Sequence, residues 1–67
     1  MPRKMRERDG YFNSRQLGRL LDVSATRTLV SRSVAGQLPM PIRDGGQWFW
    51  PVDAVRKTLE AERRRAA

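Results

Sequence analysis

Residues 12–34 constrain the fold more than any other stretch, because they show the spacing of two short amphipathic helices joined by a tight turn. Asn13 or Ser14 supplies the side-chain oxygen of an N-cap, and Asp22 ends the apolar pattern. Three leucines of the first helix share one face, namely Leu17, Leu20 and Leu21. The pattern predicts a helix-turn-helix.

The second predicted helix begins at Ser24, which stands where another N-cap is needed. Val23, Val30 and Val34 fall within a narrow arc, so we expect that arc to be buried. The opposite arc and its flank carry small or hydrogen-bonding groups and two arginines, which suit base edges and phosphates, although a merely solvated face shows the same spacing. These candidate major-groove residues are Ser24, Ala25, Arg27, Thr28, Ser31 and Arg32.

Composition argues against catalysis. The 67 residues suffice for one small domain with a marginal core. Cysteine and histidine are absent and the seven acidic residues are scattered, so the commonest nucleophiles, general bases and zinc ligands are missing. We therefore expect no enzyme activity, no metal site and no cofactor.

The charge points to anionic partners, since 14 basic residues against 7 acidic ones give a net charge of +7 and a pI near 11.5. No apolar run approaches the roughly 20 residues of a membrane span, and no signal-peptide core follows the basic N-terminus. The leucines and valines are divided among short segments separated by turn signals. We therefore expect a cytoplasmic protein that binds nucleic acid rather than a membrane.

Both ends of the chain are basic. Residues 1–10 lack apolar periodicity and are predicted to form a flexible basic arm, with Tyr11 and Phe12 packing as a hydrophobic staple before the first helix. Residues 61–67 are predicted to be a basic C-terminal tail that prolongs the third helix on propensity alone and frays. Each end either contacts phosphates or remains solvated. Their basic residues are Arg3, Lys4, Arg6, Arg8, Arg63, Arg64 and Arg65.

The middle of the chain is punctuated by glycine and proline. Gly36 is a natural residue to end the second helix, and two prolines make residues 38–41 an extended connector. Residues 42–50 then read as a β-hairpin with a Gly-Gly turn. We call residues 43–47 the hairpin tip. Its candidate backbone contacts are Arg43, Gly45, Gly46 and Gln47.

Alternation along the second hairpin strand places its two tryptophans on one face. We expect Trp50 and Trp48 to face the core because they offer the largest apolar area, leaving Phe49 half-exposed. The alternative buries Phe49 with Ile42. A third helix follows, with its buried stripe formed by Val52, Val55 and Leu59. The predicted fold is mainly α with a small β-hairpin, a winged helix-turn-helix over residues 11–60.

One family shows these pieces in this order. Residues 36–41 (GQLPMP), then Arg43, Gly45-Gly46, Trp50 and residues 53–55 (DAV) resemble the connector, wing and third helix of the small phage excisionases, also called recombination directionality factors. These are winged-helix DNA-binding domains related to the mercury-resistance regulator superfamily, and the resemblance covers residues 11–59. The chain departs from that pattern in having Asp22 at a turn position that is often glycine, Gly18 where alanine is usual, and one extra residue between Val23 and Gly36.

The resemblance implies a protein that binds several adjacent sites on double-stranded DNA, cooperatively with copies of itself. It would bend a phage attachment site and help a separate phage integrase excise the prophage, within the nucleoid of a bacterial host. A small winged-helix transcriptional regulator, repressor or activator, is the alternative within the same fold. An RNA-associated basic protein and a protein-interaction module are the alternatives from other classes.

Overall fold

Within residues 6–66, which this computed structural model describes, three strands and three helices follow one another in the order β1, α1, α2, β2, β3, α3. The elements are β1 Tyr11–Asn13, α1 Ser14–Leu21, α2 Thr26–Val34, β2 Ile42–Asp44, β3 Gln47–Pro51 and α3 Val52–Ala66. The protein is therefore mainly α with a small antiparallel sheet, as the sequence predicts. None of the helices within residues 6–66 combines the length and apolar character needed to cross a bilayer.

The sheet has three strands in the order β1-β3-β2, with both neighbours antiparallel to the central β3. The predicted hairpin is confirmed, and its turn residues Gly45 and Gly46 have φ values of 58° and 81°, as a type I′ turn requires. The third strand was not predicted. Tyr11 and Phe12, assigned to a hydrophobic staple, pair instead with Pro51 and Trp50.

Helix α1 begins and ends as the local sequence predicts. Asn13 and Gln16 form a reciprocal capping box, because the Asn13 Oδ1 accepts the Gln16 N–H at 2.8 Å and the Gln16 Oε1 accepts the Asn13 N–H at 2.9 Å. At the other end Asp22 adopts a left-handed conformation, with φ 58° and ψ 46°. The Val23 N–H then donates to the Gly18 carbonyl at 2.8 Å, which reverses the chain toward α2.

Helix α2 differs from the prediction in its start and in its buried face. Ala25, not Ser24, is the N-cap residue, and no side chain caps the helix. Leu29 and Ser33 are its buried residues, whereas Val34, which we expected inside, is 74% exposed. Val23 and Val30 are half-buried and pack on the core cluster as expected, but the centre of the buried face is Leu29, which lies about 140° around the helix from Val34.

The C-terminal end of α2 is closed as expected by Gly36, which has φ 83°. The Gly36 N–H donates to the Ser33 carbonyl at 3.1 Å, and the Gln37 N–H donates to the Arg32 carbonyl at 2.9 Å. This pair of bonds is a Schellman motif. It turns the chain toward the connector of residues 38–41.

The core lies between the helices and one face of the sheet. Its buried cluster consists of Leu17, Leu29, Leu38, Trp50 and Val55. Six half-buried apolar side chains pack on this cluster, namely Phe12, Leu21, Val23, Val30, Trp48 and Leu59. Leu20, expected beside Leu17, is instead 52% exposed. The inward orientation of both tryptophans is thus confirmed.

The core also contains a hydrogen-bonded polar pair, the indole N–H of Trp50 and the hydroxyl of Ser33. The Trp50 Nε1–H donates to the Ser33 Oγ at 2.9 Å, and the Ser33 hydroxyl donates in turn to the Leu29 carbonyl at 3.0 Å. Each buried donor therefore has an acceptor, which is the condition for placing an indole N–H inside a protein. This bond fixes α2 against the central strand.

Phe49 contradicts the prediction that it is half-exposed, because it is only 1% exposed. Phe49 lies on the sheet face opposite Trp50. The backbone of Arg6 crosses that face, because its carbonyl accepts a bond from the Asn13 side chain and its N–H donates to the Gln47 side chain. Residues 6–10 of the expected flexible arm are thus bonded to the domain, a second correction. The alternation within the hairpin does not indicate this burial, because it depends on β1 and on the segment that precedes it.

Helix α3 is continuous from Val52 to Ala66, so the predicted boundary at residue 60 falls inside it. Val55 is buried, and Val52 and Leu59 are half-buried, as the predicted stripe requires. Residues 60–66 are exposed on every side. The basic tail, as far as residue 66, is therefore the solvated last part of a helix.

Candidate nucleic-acid interface

The outer face of α2 lies opposite the core. Taking about 100° per residue, Arg27 and Ser31 each lie about 160° from Leu29, the buried centre of the helix. Both are exposed, and within residues 6–66 no hydrogen bond or ion pair occupies the Arg27 guanidinium. We define the α2 outer face as Arg27, Ser31 and the neighbouring Val34.

Three further predicted contact residues border this face. Ser24 and Ala25 are exposed in the turn before α2, and Thr28 is exposed on its flank, about 100° from Leu29. Their small or hydroxyl-bearing side chains leave room for close approach and offer donors and acceptors. Five of the six predicted positions are thus accessible together.

Arg32 is the sixth position, and it is not on the exposed outer face of α2 where it was expected. It is half-buried and lies in a cleft with Leu21, Leu38 and Glu62, on the side of α2 that faces α3. The error follows from the arc of valines, because a buried face centred on Leu29 turns Arg32 to about 60° from the core. The two arginines among the candidate major-groove residues thus differ in accessibility, since Arg27 is exposed and Arg32 is half-buried.

Two arginines of α1 were missed. Arg15 and Arg19 are exposed one helical turn apart, and they line a groove with Ser24, the residue that leads into α2. Their i, i+4 spacing, off the stripe of Leu17 and Leu21, was the available signal. They extend the basic surface from α2 onto α1.

The charge of this region is one-sided. Residues 14–34 contain four arginines and a single acidic residue, Asp22, which occupies the turn between the helices. Helix α2 itself contains no acid. A surface with this excess of positive charge attracts polyanions.

The two faces of the hairpin tip carry different groups. Arg43 pairs across the hairpin with Trp48, and its guanidinium lies 5.0 Å from the centre of that ring, a cation–π arrangement on the sheet face that packs on the helices. Gly45 and Gly46 are exposed at the turn. Gln47, predicted to contact DNA beside Arg43, points to the opposite face.

The basic residues of the two ends of the chain have different surroundings. Arg6 and Arg8 both contact Asp44 of the hairpin tip. Arg3 and Lys4 lie outside the described residues. Arg63, Arg64 and Arg65 are exposed in the last turns of α3, where positive charge also complements the helix dipole.

Comparison with protein-family models, curated protein sequences and solved structures gives no match for this chain. Residues 6–66 contain no group of three or more acidic side chains close enough to hold a metal ion. Function is therefore inferred from the chain's own surface.

Proposed function

We propose that this chain is a winged helix-turn-helix protein that binds double-stranded DNA. In this proposal α1 and α2 form the helix-turn-helix, and the β2–β3 hairpin is the wing. The observation that carries the proposal is the α2 outer face, where an unpartnered Arg27 and the hydroxyl of Ser31 lie opposite the core on a helix without acidic residues.

We propose that α2 enters the major groove, which admits a single helix. Arg27 is placed to make a bidentate contact with guanine, and Ser24, Thr28 and Ser31 to bond neighbouring base edges or phosphates. Ala25 permits close approach at the helix start. Arg32, on the flank toward α3, contributes a phosphate contact rather than base reading.

The wing and α1 would add contacts that carry no sequence information. Arg43 and the exposed backbone of Gly45 and Gly46 would lie against the phosphate backbone beside the groove. Arg15 and Arg19 of α1 would contact phosphates of the same DNA strand, on the other side of α2. The dependence of affinity on salt should therefore be steep, because each neutralised phosphate releases counterions.

In the biological role that we propose, the protein is an excisionase. It would bind and bend a phage attachment site, as several copies side by side, and direct a separate integrase toward prophage excision. The integrase would supply the strand cleavage. This role is supported by the ordered resemblance of residues 36–55 to the excisionases, whereas the alternative role of transcriptional regulator would use the same DNA-binding surface.

Selection of bound duplexes from a random library tests DNA binding first. We expect one enriched sequence, bound more tightly than non-specific duplex or RNA of equal length. Arg27→Ala should lose about 1–3 kcal/mol of discrimination at one base pair, as expected for a bidentate guanine contact. Arg56→Ala, an exposed arginine of α3 outside the proposed interface, is the matched control and should keep the discrimination.

Failure to enrich any duplex, or equal affinity for RNA, would refute the proposal. The biological role needs a separate assay, in which the enriched sequence is sought in attachment regions and excision is measured with the corresponding integrase. Stimulated excision supports the excisionase. Binding at a promoter with changed transcription and no effect on excision would favour the regulator.

A further inference from the structure

The N-terminal segment, residues 6–10, is fixed to the sheet by its backbone. The Arg6 N–H donates to the Gln47 Oε1 at 3.2 Å, and the Asn13 Nδ2 donates to the Arg6 carbonyl at 2.9 Å. Near its end, the Gly10 carbonyl accepts the Val52 N–H at 3.0 Å. These bonds join the segment to β1, β3 and α3, so its side chains have defined positions.

Asp44 holds both arginines of this segment. The Arg8 Nη1 donates to the Asp44 Oδ2 at 2.8 Å, and the Arg6 Nη2 donates to the Asp44 backbone carbonyl at 2.6 Å while lying 3.8 Å from the Oδ1. The Arg8 guanidinium also lies 5.0 Å from the centre of the Tyr11 ring. The Arg6 guanidinium packs so closely on Gly45 that a Cβ atom there would collide with it.

These contacts leave most donors of both guanidinium groups unused. The side chains of Arg6 and Arg8 are 53% and 43% exposed, and each group has five N–H donors in a rigid fork. Arg43 adds a third arginine on the other face of the hairpin. Residues 6–10 and 43–47 together carry three arginines and three acidic residues, so this surface offers a phosphate its unused guanidinium donors rather than a net positive charge.

We infer that the N-terminal segment and the hairpin tip form one binding surface for the sugar-phosphate backbone of a duplex, in which Asp44 is a positioning residue that presents Arg6 and Arg8 as a fixed pair. This inference rests on the proposed function and adds partners to the wing. Restraining two arginines in advance removes side-chain entropy that a free arm would lose on binding.

Removing the charge of Asp44 should change duplex affinity in opposite directions, depending on whether Asp44 positions the arginines or acts only through its charge. An acid near phosphates repels them, so its removal should strengthen binding if Asp44 does nothing else. If Asp44 positions the arginines, its removal should weaken binding although the net charge rises. Asp44→Asn and Glu60→Gln each remove one negative charge with little change in shape. Glu60, exposed on α3, lies outside the proposed interface.

The experiment measures duplex affinity by fluorescence anisotropy for the full chain, using the enriched duplex, at several salt concentrations. We expect Glu60→Gln to bind as tightly as wild type or slightly more tightly. Asp44→Asn should bind about 5-fold more weakly, the factor that corresponds to about 1 kcal/mol of lost side-chain restraint. Thermal unfolding of each variant establishes that it is folded.

A second comparison separates positioning from a general structural role. In an Arg6→Ala/Arg8→Ala background, Asp44→Asn should no longer weaken binding, because no arginine remains for it to position. The double arginine variant itself should lower the salt dependence by about two counterions. Gly45→Asn keeps a residue that tolerates positive φ while displacing the Arg6 guanidinium, and it should also weaken binding.

Two results would overturn the inference while leaving DNA binding intact. Tighter binding by Asp44→Asn than by Glu60→Gln would mean that Asp44 competes with phosphate for the arginines. Equal effects of the two variants would mean that Asp44 is a bystander. Absence of duplex binding by the wild-type chain would instead refute the proposed function, and this inference with it.

Discussion

The substitution Gly18→Ala should destabilise the protein, whereas replacing a glycine inside a helix by alanine usually stabilises it. In an ordinary helix interior the change stabilises by about 1 kcal/mol, because alanine has the higher helix propensity. Gly18 is different because a Cβ atom at this position would collide with the backbone carbonyl oxygen of Val23. That oxygen belongs to the turn that joins α1 to α2 and cannot rotate away as a side chain would.

The size of the stability loss follows from the turn between α1 and α2, which must move to make room for the added methyl group. Displacing the turn weakens two hydrogen bonds to the Gly18 carbonyl, from the backbone N–H groups of Asp22 and Val23, each contributing about 1 kcal/mol. Crowding in a packed region adds roughly 1–3 kcal/mol. After the gain in propensity, we expect a net loss of about 2 kcal/mol, or a fall in Tm of about 8–16 °C for a domain of this size.

Thermal unfolding followed by far-UV circular dichroism measures this effect. Ser31→Ala is the matched control, since Ser31 is exposed in α2 and its replacement should raise the stability by roughly 0.5 kcal/mol. A Tm for Gly18→Ala equal to or above that of the wild type would refute the reasoning. It would mean that the turn adapts without loss.

Three other predictions concern the core, the wing and assembly. Ser33→Ala should destabilise the domain by about 1–3 kcal/mol in chemical unfolding, because it leaves the Trp50 N–H without an acceptor, and much of this loss should vanish in a Trp50→Phe background. Arg43→Ala should lower the salt dependence of duplex affinity by about one counterion, and an unchanged dependence would exclude a phosphate contact. Sedimentation should give a monomer near 7.8 kDa, with stepwise cooperative gel shifts on long DNA, so a stable dimer in solution would contradict side-by-side binding.

The parts of the fold that could be predicted are those that local chemistry determines. Asn13 caps α1 through bonds within one turn of the helix, Gly36 ends α2, and Gly45-Gly46 sets the hairpin. Each of these depends on residues within a few positions of one another. The sequence therefore showed the three helices and the hairpin nearly in their observed places.

The parts that could not be predicted depend on partners distant in the sequence. Ser33 is buried and accepts a hydrogen bond from Trp50, so this polar residue belongs to the buried face of α2 while Val34, expected there, is exposed. With the buried face of α2 centred on Leu29, Arg27 is exposed and Arg32 is half-buried. The docking of Arg6 on the hairpin tip likewise joins residues about 40 positions apart, for which the sequence carries no local signal.

The pairing of β1 with β3 has a consequence for how the chain folds. Tyr11 and Pro51 are partners about 40 residues apart, and together they close a loop that contains both α1 and α2. The two helices share few core residues of their own, since Trp50 and Val55 come after them in the chain. On the ribosome the helix pair therefore cannot complete its core until residue 55 has left the exit tunnel, so we expect folding to be a late and cooperative event.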